Sequence, residues 1–139
     1  MYRKILIAND GSPGAFAALK AALDIAAQSQ AELHMVCIKE IPAFPSTMDE
    51  VVSEQDEGER RFNPIIDRSE KLAEFKGLTL QAHFLIGNPV STIVQFLTDR
   101  DFDLLVVGFT RHSSLYQRVI STTTDRLVDR APCAVLVVK

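Results

Sequence analysis

Cysteine is scarce in this chain of 139 residues, which has two, Cys37 and Cys133. Two cysteines are too few for a disulfide framework or a cysteine-rich zinc site. Positive charge is not in excess either, because the formal net charge is −3. A protein that binds nucleic acid through bulk charge needs a basic surface. We therefore expect reduced thiols and no nucleic-acid partner.

Long hydrophobic runs are also absent. No run approaches the ~20 residues of a membrane-spanning helix, and the first apolar run, 5–8, is shorter than the core of a signal peptide. We expect no membrane partner and a cytoplasmic location. The content of 47% hydrophobic and 24% charged residues is ordinary for a folded soluble protein. The length fits a single domain covering residues 1–139.

Motifs for common enzyme chemistry are missing. The sequence has neither the P-loop pattern nor the dinucleotide-binding G-x-G-x-x-G, and no nucleophile elbow. Its histidines lack the spacing of metal ligands. We expect no catalytic residues, no metal site and no enzyme activity, although these absences leave weak hydrolysis of ATP open.

Apolar runs alternate with helical patterns along the chain. Strands are predicted at 5–8, 33–38, 78–86, 104–107 and 134–138. Helices are predicted from Pro13 to about Ser29, from Asn63-Pro64 to Gly77, after Asn88-Pro89, and from Tyr116 through Leu127. Such alternation predicts an α/β fold with a parallel sheet covered on both faces, and a ligand site at the carboxyl ends of the strands.

The segment from Glu40 to Arg61 is acidic and is predicted to be irregular. Two interpretations stay open for it: a solvated loop or surface helix, and a lid over a pocket. The helix assigned from Asn63 has an alternative as well, in which it begins earlier and bends at Pro64.

Two polar segments follow buried strands. Asp10 is either a turn residue that caps the next helix or an acceptor for a ligand, while Ser12 is interpreted as a helix cap. The second segment, 108–124, combines two arginines with clustered hydroxyl groups. It is either an anion site at a helix start or a polar loop whose hydroxyls cap that helix.

Three stretches carry a resemblance to a known family. They are Ile7-Ala8-Asn9-Asp10-Gly11-Ser12, Leu104-Leu105-Val106-Val107-Gly108 and Ala131-Pro132-Cys133-Ala134-Val135-Leu136-Val137-Val138. In order and spacing the chain resembles the universal stress protein family over essentially its whole length. The resemblance implies a Rossmann-like, five-stranded parallel sheet of order 3-2-1-4-5 with helices on both faces. The implied strand order places the Asp10 turn and the Gly108 loop beside each other.

Nucleotide-binding members of this family carry a glycine, two residues, a glycine, nine residues, then a glycine and a hydroxyl residue. Gly108 matches the first glycine, Arg111 and Ser121 replace the other two, and Thr122 supplies the hydroxyl. Glycine there allows positive φ or close approach to a phosphate. The resemblance thus implies a stress-response regulatory module with a degenerate nucleotide pocket, no required cofactor, and an unidentified regulatory protein as a further partner.

The alternative is a sensor that binds ATP or AMP through a non-standard phosphate loop. The resemblance would then assign Asp10 to the ribose or adenine and the Ile38 backbone to the adenine edge. The residues it would assign to the phosphates are Gly108, Arg111, Ser121, Thr122 and Thr123.

The last strand predicts a further partner. Val135, Leu136, Val137 and Val138 are all apolar, yet the implied strand order leaves them at an edge of the sheet. Exposed apolar edges favour pairing with another chain. The resemblance implies the same: a homodimer joined through this strand.

Overall fold

The computed structural model describes residues 1–40, 48–109 and 123–139, and the side chains of 48–55 lie outside that description. The strands are β1 (Lys4–Ala8), β2 (Glu32–Lys39), β3 (Leu80–Ile86), β4 (Leu104–Gly108) and β5 (Ala134–Val138). The helices are α1 (Pro13–Ser29), α2 (Met48–Phe75), α3 (Pro89–Asp99) and α4 (Thr123–Arg130). Within these ranges no helix combines the length and apolar character needed to cross a membrane.

The five strands form one parallel sheet in the order β3-β2-β1-β4-β5. This confirms the α/β class and the predicted 3-2-1-4-5 order. The order reverses beside β1, which pairs with β2 on one side and β4 on the other. A crevice is expected at that point, beyond the carboxyl ends of the strands.

Each face of the sheet has its own core. On one face α1 and α2 cover β1 and β2, and Phe16, Leu19 and Phe62 are among the buried residues. On the other face α3 and α4 contribute Ile93 and Leu127 to a second cluster. Helices on both faces are therefore confirmed. Central strands buried on both faces explain the uninterrupted apolar runs of β1 and β4.

The starts of α1 and α3 follow their sequence signals. The Ser12 hydroxyl accepts a hydrogen bond from the Ala15 N–H at 3.2 Å, and Pro13 begins the helix. Asn88 caps α3 through the Ser91 N–H at 3.1 Å, again followed by a proline. In each case the side chain satisfies a backbone donor that the helix leaves free, and proline lacks that donor.

The prediction of an irregular segment over 40–61 is wrong for its second half, because α2 begins at Met48 and runs through Pro64. Proline removes one helical hydrogen bond. Packing compensates for this loss, since Phe62 is 1% exposed and Ala73 is fully buried. The alternative with an earlier helix start is the one found. A smaller difference is that β3 begins at Leu80 rather than at 78. The predicted start of the last helix at Tyr116 lies outside the described residues.

Candidate ligand-binding site

A cavity of about 580 Å³ opens at the carboxyl ends of the central strands. Volumes of this size are typical of small-molecule sites. The apolar part of its wall comes from the strand ends and from the flanking helices. The described residues of that part are Ala8, Ala15, Val36, Ile38, Phe62, Pro89, Ile93, Val107, Phe109 and Leu127. The polar part includes Asp10, Lys39, Arg61 and Thr123.

The turn after β1 places Asp10 at this cavity. Asp10 Oδ1 accepts a hydrogen bond from the Ser12 N–H at 2.9 Å, which tightens the entry into α1. The neighbouring Asn9 is 2% exposed. Its Oδ1 accepts from the Gly11 N–H at 2.9 Å and its Nδ2 donates to Ser69 Oγ at 3.2 Å. Asn9 therefore stabilises the turn, and Asp10 Oδ2 has no hydrogen-bond partner among the described residues.

The structure accounts for Gly108 by packing. An added Cβ at this position would lie 2.4 Å from the Gly14 carbonyl oxygen and 2.9 Å from the Ala15 nitrogen. The end of β4 thus lies directly against the first turn of α1. Gly108 is not among the positive-φ residues of the described chain. Close approach of two backbones, rather than unusual dihedral angles, requires a glycine here.

Ile38 lies at the cavity through its position in the sheet. β1 ends at Ala8, which pairs with Val36, and the Asn9 N–H donates to the Val36 carbonyl at 3.0 Å. Backbone groups of alternate residues in a strand point to the same side. The peptide groups of Ile38 therefore point to the same side as those of Val36, beyond the end of β1. That side faces the crevice.

No residue of α2 was assigned to the cavity from the sequence, because Glu40–Arg61 was left open between a solvated loop or surface helix and a lid over a pocket. Arg61 and Phe62 line the cavity from α2, and Lys39 and Glu40 line it from the end of β2. The Arg61 guanidinium lies 5.2 Å from the centroid of the Phe62 ring. The sequence signal that was available is Phe62 itself, an apolar residue next to an arginine in an otherwise polar stretch.

The phosphate residues expected from the resemblance fall mostly outside the described chain. Arg111, Ser121 and Thr122 lie outside the described residues. Thr123 begins α4 and lines the cavity. The hydroxyl of Thr124 donates to the Gly108 carbonyl at 3.4 Å. The start of α4 is thereby tied to the end of β4.

Both cysteines of the chain have thiols with a raised pKa. Cys37 is free and fully buried, and burial, followed by the charge of Asp10, raises its pKa to about 12. Cys37 is therefore a core thiol. Cys133 is also free, and burial raises its pKa.

The histidine pair lies in the sheet under α3. His34 is 3% exposed, and its Nδ1 lies 2.9 Å from His83 Nε2. Its Nε2 lies 2.9 Å from Glu32 Oε1, and this hydrogen bond is the main cause of a lowered Glu32 pKa. Burial, then the charges of His34 and Arg100, lower the pKa of His83. In the described part of the chain no group of three potential ligands is arranged to hold a metal ion.

Comparison with known proteins gives a consistent picture. The model of the universal stress protein family matches residues 1–139. Universal stress protein MJ0531 of Methanocaldococcus jannaschii is 30% identical over 145 aligned positions, covering 100% of this chain and 83% of that protein. The solved structure of UspA from Lactobacillus plantarum superposes with a TM-score of 0.86 at 28% identity, covering 99% and 98% of the two chains.

A second solved structure carries a ligand. It is a universal stress protein in complex with cAMP, 26% identical to this chain, with a TM-score of 0.81 and coverage of 99% and 97%. The family resemblance read from the sequence is thereby confirmed, as is the fold that it implied.

Proposed function

This chain belongs to the universal stress protein family, and from that premise we propose that it is a cytoplasmic stress-response regulator that binds an adenine nucleotide. The proposed activity is binding rather than catalysis. The pocket is degenerate in its phosphate loop, where Arg111 and Ser121 replace glycines, but its base and ribose regions are retained. An unidentified regulatory protein would then respond to the bound and free states.

The observation that carries this proposal is the open cavity beside Ile38. Its apolar wall, from Val36 and Ile38 to Ile93, suits a flat aromatic base. The peptide N–H and C=O of Ile38 point to the crevice side of β2, and a peptide group can pair with the donor and acceptor edge of adenine. Asp10 Oδ2 is available at the opposite wall for a ribose hydroxyl. The relative that binds cAMP has the same fold.

The phosphate loop supports a departure from the usual triphosphate site. Gly108 packs directly against the backbone of Gly14, and the Thr124 hydroxyl donates a hydrogen bond to the Gly108 carbonyl. Gly108, the one motif glycine that this chain keeps, thus has structural partners within the fold. Without the second and third glycines, a standard triphosphate cradle is not expected.

Calorimetry with purified protein tests nucleotide binding directly. Bound nucleotide is first removed by denaturation and refolding and identified by acid extraction. Adenosine, AMP, cAMP and ATP with magnesium are then titrated. We expect adenosine to bind, and Asp10→Ala to weaken it about tenfold, since one hydrogen bond to a charged group is lost.

Asp67→Ala is the matched control, because Asp67 is an exposed carboxylate that does not line the cavity. No binding of any of the four ligands at millimolar concentration would refute the proposal. An equal affinity in the Asp10→Ala protein would remove that residue from the site.

The edge strand β5 supports a homodimer as the working form. Leu136 is 37% exposed, and Val135, Val137 and Val138 are only half-buried. β5 pairs with β4 alone among the described strands, so its other edge keeps free peptide groups. We propose pairing of two copies through Val135 to Val138.

Sedimentation velocity at micromolar concentration tests the dimer. The wild type should sediment as a dimer, and Leu136→Lys should shift it to monomer because a charge would be buried at the interface. Gln81→Lys, at an exposed position of the other edge strand, should stay dimeric. A monomeric wild type would end this proposal.

A further inference from the structure

We propose that Arg61 of α2 is the residue that holds the anionic group of the ligand, and that the site is selective for nucleoside monophosphates. This inference rests on the proposed nucleotide binding and deepens it. It moves the phosphate from the β4 loop to the opposite wall of the cavity. Nothing in the pattern of family motifs found in the sequence points to α2 in this role.

The position of Arg61 follows from a close contact between α2 and the end of β2. Gly58 is buried, and a Cβ added there would lie 2.7 Å from Phe84 Cζ and 3.1 Å from both Cβ and Cγ of Lys39. The helix therefore packs with its backbone against the stem of Lys39. Arg61 is three residues further along and so lies on the same helix face. The packing of Gly58 therefore places the cationic side chains of Lys39 and Arg61 along the same wall of the cavity.

The side chain of Arg61 is positioned to bind an anion. It is exposed and lines the cavity, and its guanidinium lies near the ring of the buried Phe62. Among the described residues it forms no salt bridge. A planar guanidinium presents paired N–H donors that match two oxygens of a phosphate. Contact with an aromatic ring restricts the side chain and lowers the entropy cost of binding.

The charges around the cavity set the class of ligand. The described lining residues carry two cations, Lys39 and Arg61, and two carboxylates, Asp10 and Glu40. These four charges cancel, so an anion would be held by direct contact with Arg61 and not by an overall positive charge of the described lining. A monophosphate carries about −1 to −2 charges and can be bound by one guanidinium. A triphosphate brings further negative charge toward the two carboxylates, so we expect AMP or a cyclic monophosphate to be favoured over ATP.

The test compares ligands that differ only in phosphate. Adenosine, AMP and ATP are titrated calorimetrically into wild type, Arg61→Gln, Arg61→Lys and Arg60→Gln. Arg60 is the matched control because it is exposed on the same helix but does not line the cavity. We expect wild type to bind AMP more tightly than adenosine. Arg61→Gln should weaken AMP about 10- to 100-fold and leave adenosine unchanged.

Further results sharpen the assignment. Arg61→Lys should recover part of the AMP affinity, because charge is kept and the bidentate geometry is lost. The AMP preference should shrink at high salt, and Arg60→Gln should behave as wild type.

The negative outcomes separate this inference from the proposed function. If wild type binds adenosine and AMP, and Arg61→Gln changes neither, the Arg61 assignment is overturned and nucleotide binding stands. If Arg61→Gln weakens both ligands equally, Arg61 shapes the pocket without holding the anion, and the assignment also fails. If wild type binds neither ligand, both proposals are overturned.

Discussion

Replacing Gly108 by alanine tests whether this glycine serves the fold or a phosphate. The added methyl carbon would lie 2.4 Å from the Gly14 carbonyl oxygen. Favourable contacts between such atoms begin at about 3.5 Å. The end of β4 and the start of α1 must therefore separate by roughly 1 Å. The obstructing atoms belong to backbone, so no side-chain rotation relieves the clash.

The cost is expected to fall at the upper end of the range for overpacking, about 2–3 kcal/mol. Gly108 is the last residue of β4 and packs against α1, and both elements contribute to the core on the face that α1 and α2 cover. Urea denaturation monitored by circular dichroism measures this loss. The melting temperature should fall by about 4 °C per kcal/mol for a chain of this size.

Gly14→Ala is the matched control, because it changes the other partner of the same contact. Its Cβ would lie 3.3 Å from the Phe109 carbonyl oxygen, which small shifts can accommodate. Gly14 is helical, so alanine adds about 1 kcal/mol of helix propensity. We expect a nearly neutral change. A Gly108→Ala protein within about 0.5 kcal/mol of wild type would refute the packing argument and favour a role in ligand binding.

Two further predictions concern buried polar groups. The lowered pKa of the half-buried His83 means that the folded state binds fewer protons than the unfolded state between its folded pKa and the ordinary value of 6.5. Stability should be full above about pH 6.5, fall as the pH drops toward the folded pKa, and level off below it, with a slope below about 1.4 kcal/mol per pH unit. His83→Gln should flatten this dependence in urea titrations between pH 7 and 5, whereas an unchanged slope would contradict it. Asn9→Ala should cost about 1–3 kcal/mol, because the Gly11 N–H and the Ser69 hydroxyl lose a buried partner. Ser69→Ala should cost less than Asn9→Ala, and the reverse order would argue against Asn9 as the anchor of the turn.

The starts of α1 and α3 were predictable because their signals are local. A hydroxyl or amide side chain followed by proline caps a helix through atoms within three residues, whatever the rest of the chain does. The start of α2 was not predictable in this way. Its N-terminal half carries acidic residues and an internal proline, and its continuation through Pro64 depends on Phe62 reaching a core built by α1 and the sheet.

The candidate site likewise contains residues that local sequence signals indicate and one that they do not. Asp10 and Gly108 were singled out from the sequence because they lie at the ends of predicted strands, and parallel strands place their carboxyl ends on one edge. Ile38 was named only from the family resemblance. Arg61 was not found because it lies in mid-helix. The packing of Gly58 against Lys39 sets the position of α2 relative to the end of β2 and so brings Arg61 to the cavity. Gly58 lies far from Asp10 in the sequence, so only the packed fold brings the two segments to one site.

By itself, the sequence indicated the order of strands and helices, the caps of α1 and α3, the family and the edge of the sheet where the cavity lies. These properties follow from short-range periodicity and from motifs that are complete within a few residues. Tertiary structure alone decided that Gly108 serves a backbone contact with Gly14, and that α2 faces the cavity with Arg61. Both depend on distances between segments far apart in the chain, and those distances are fixed only when the two cores pack.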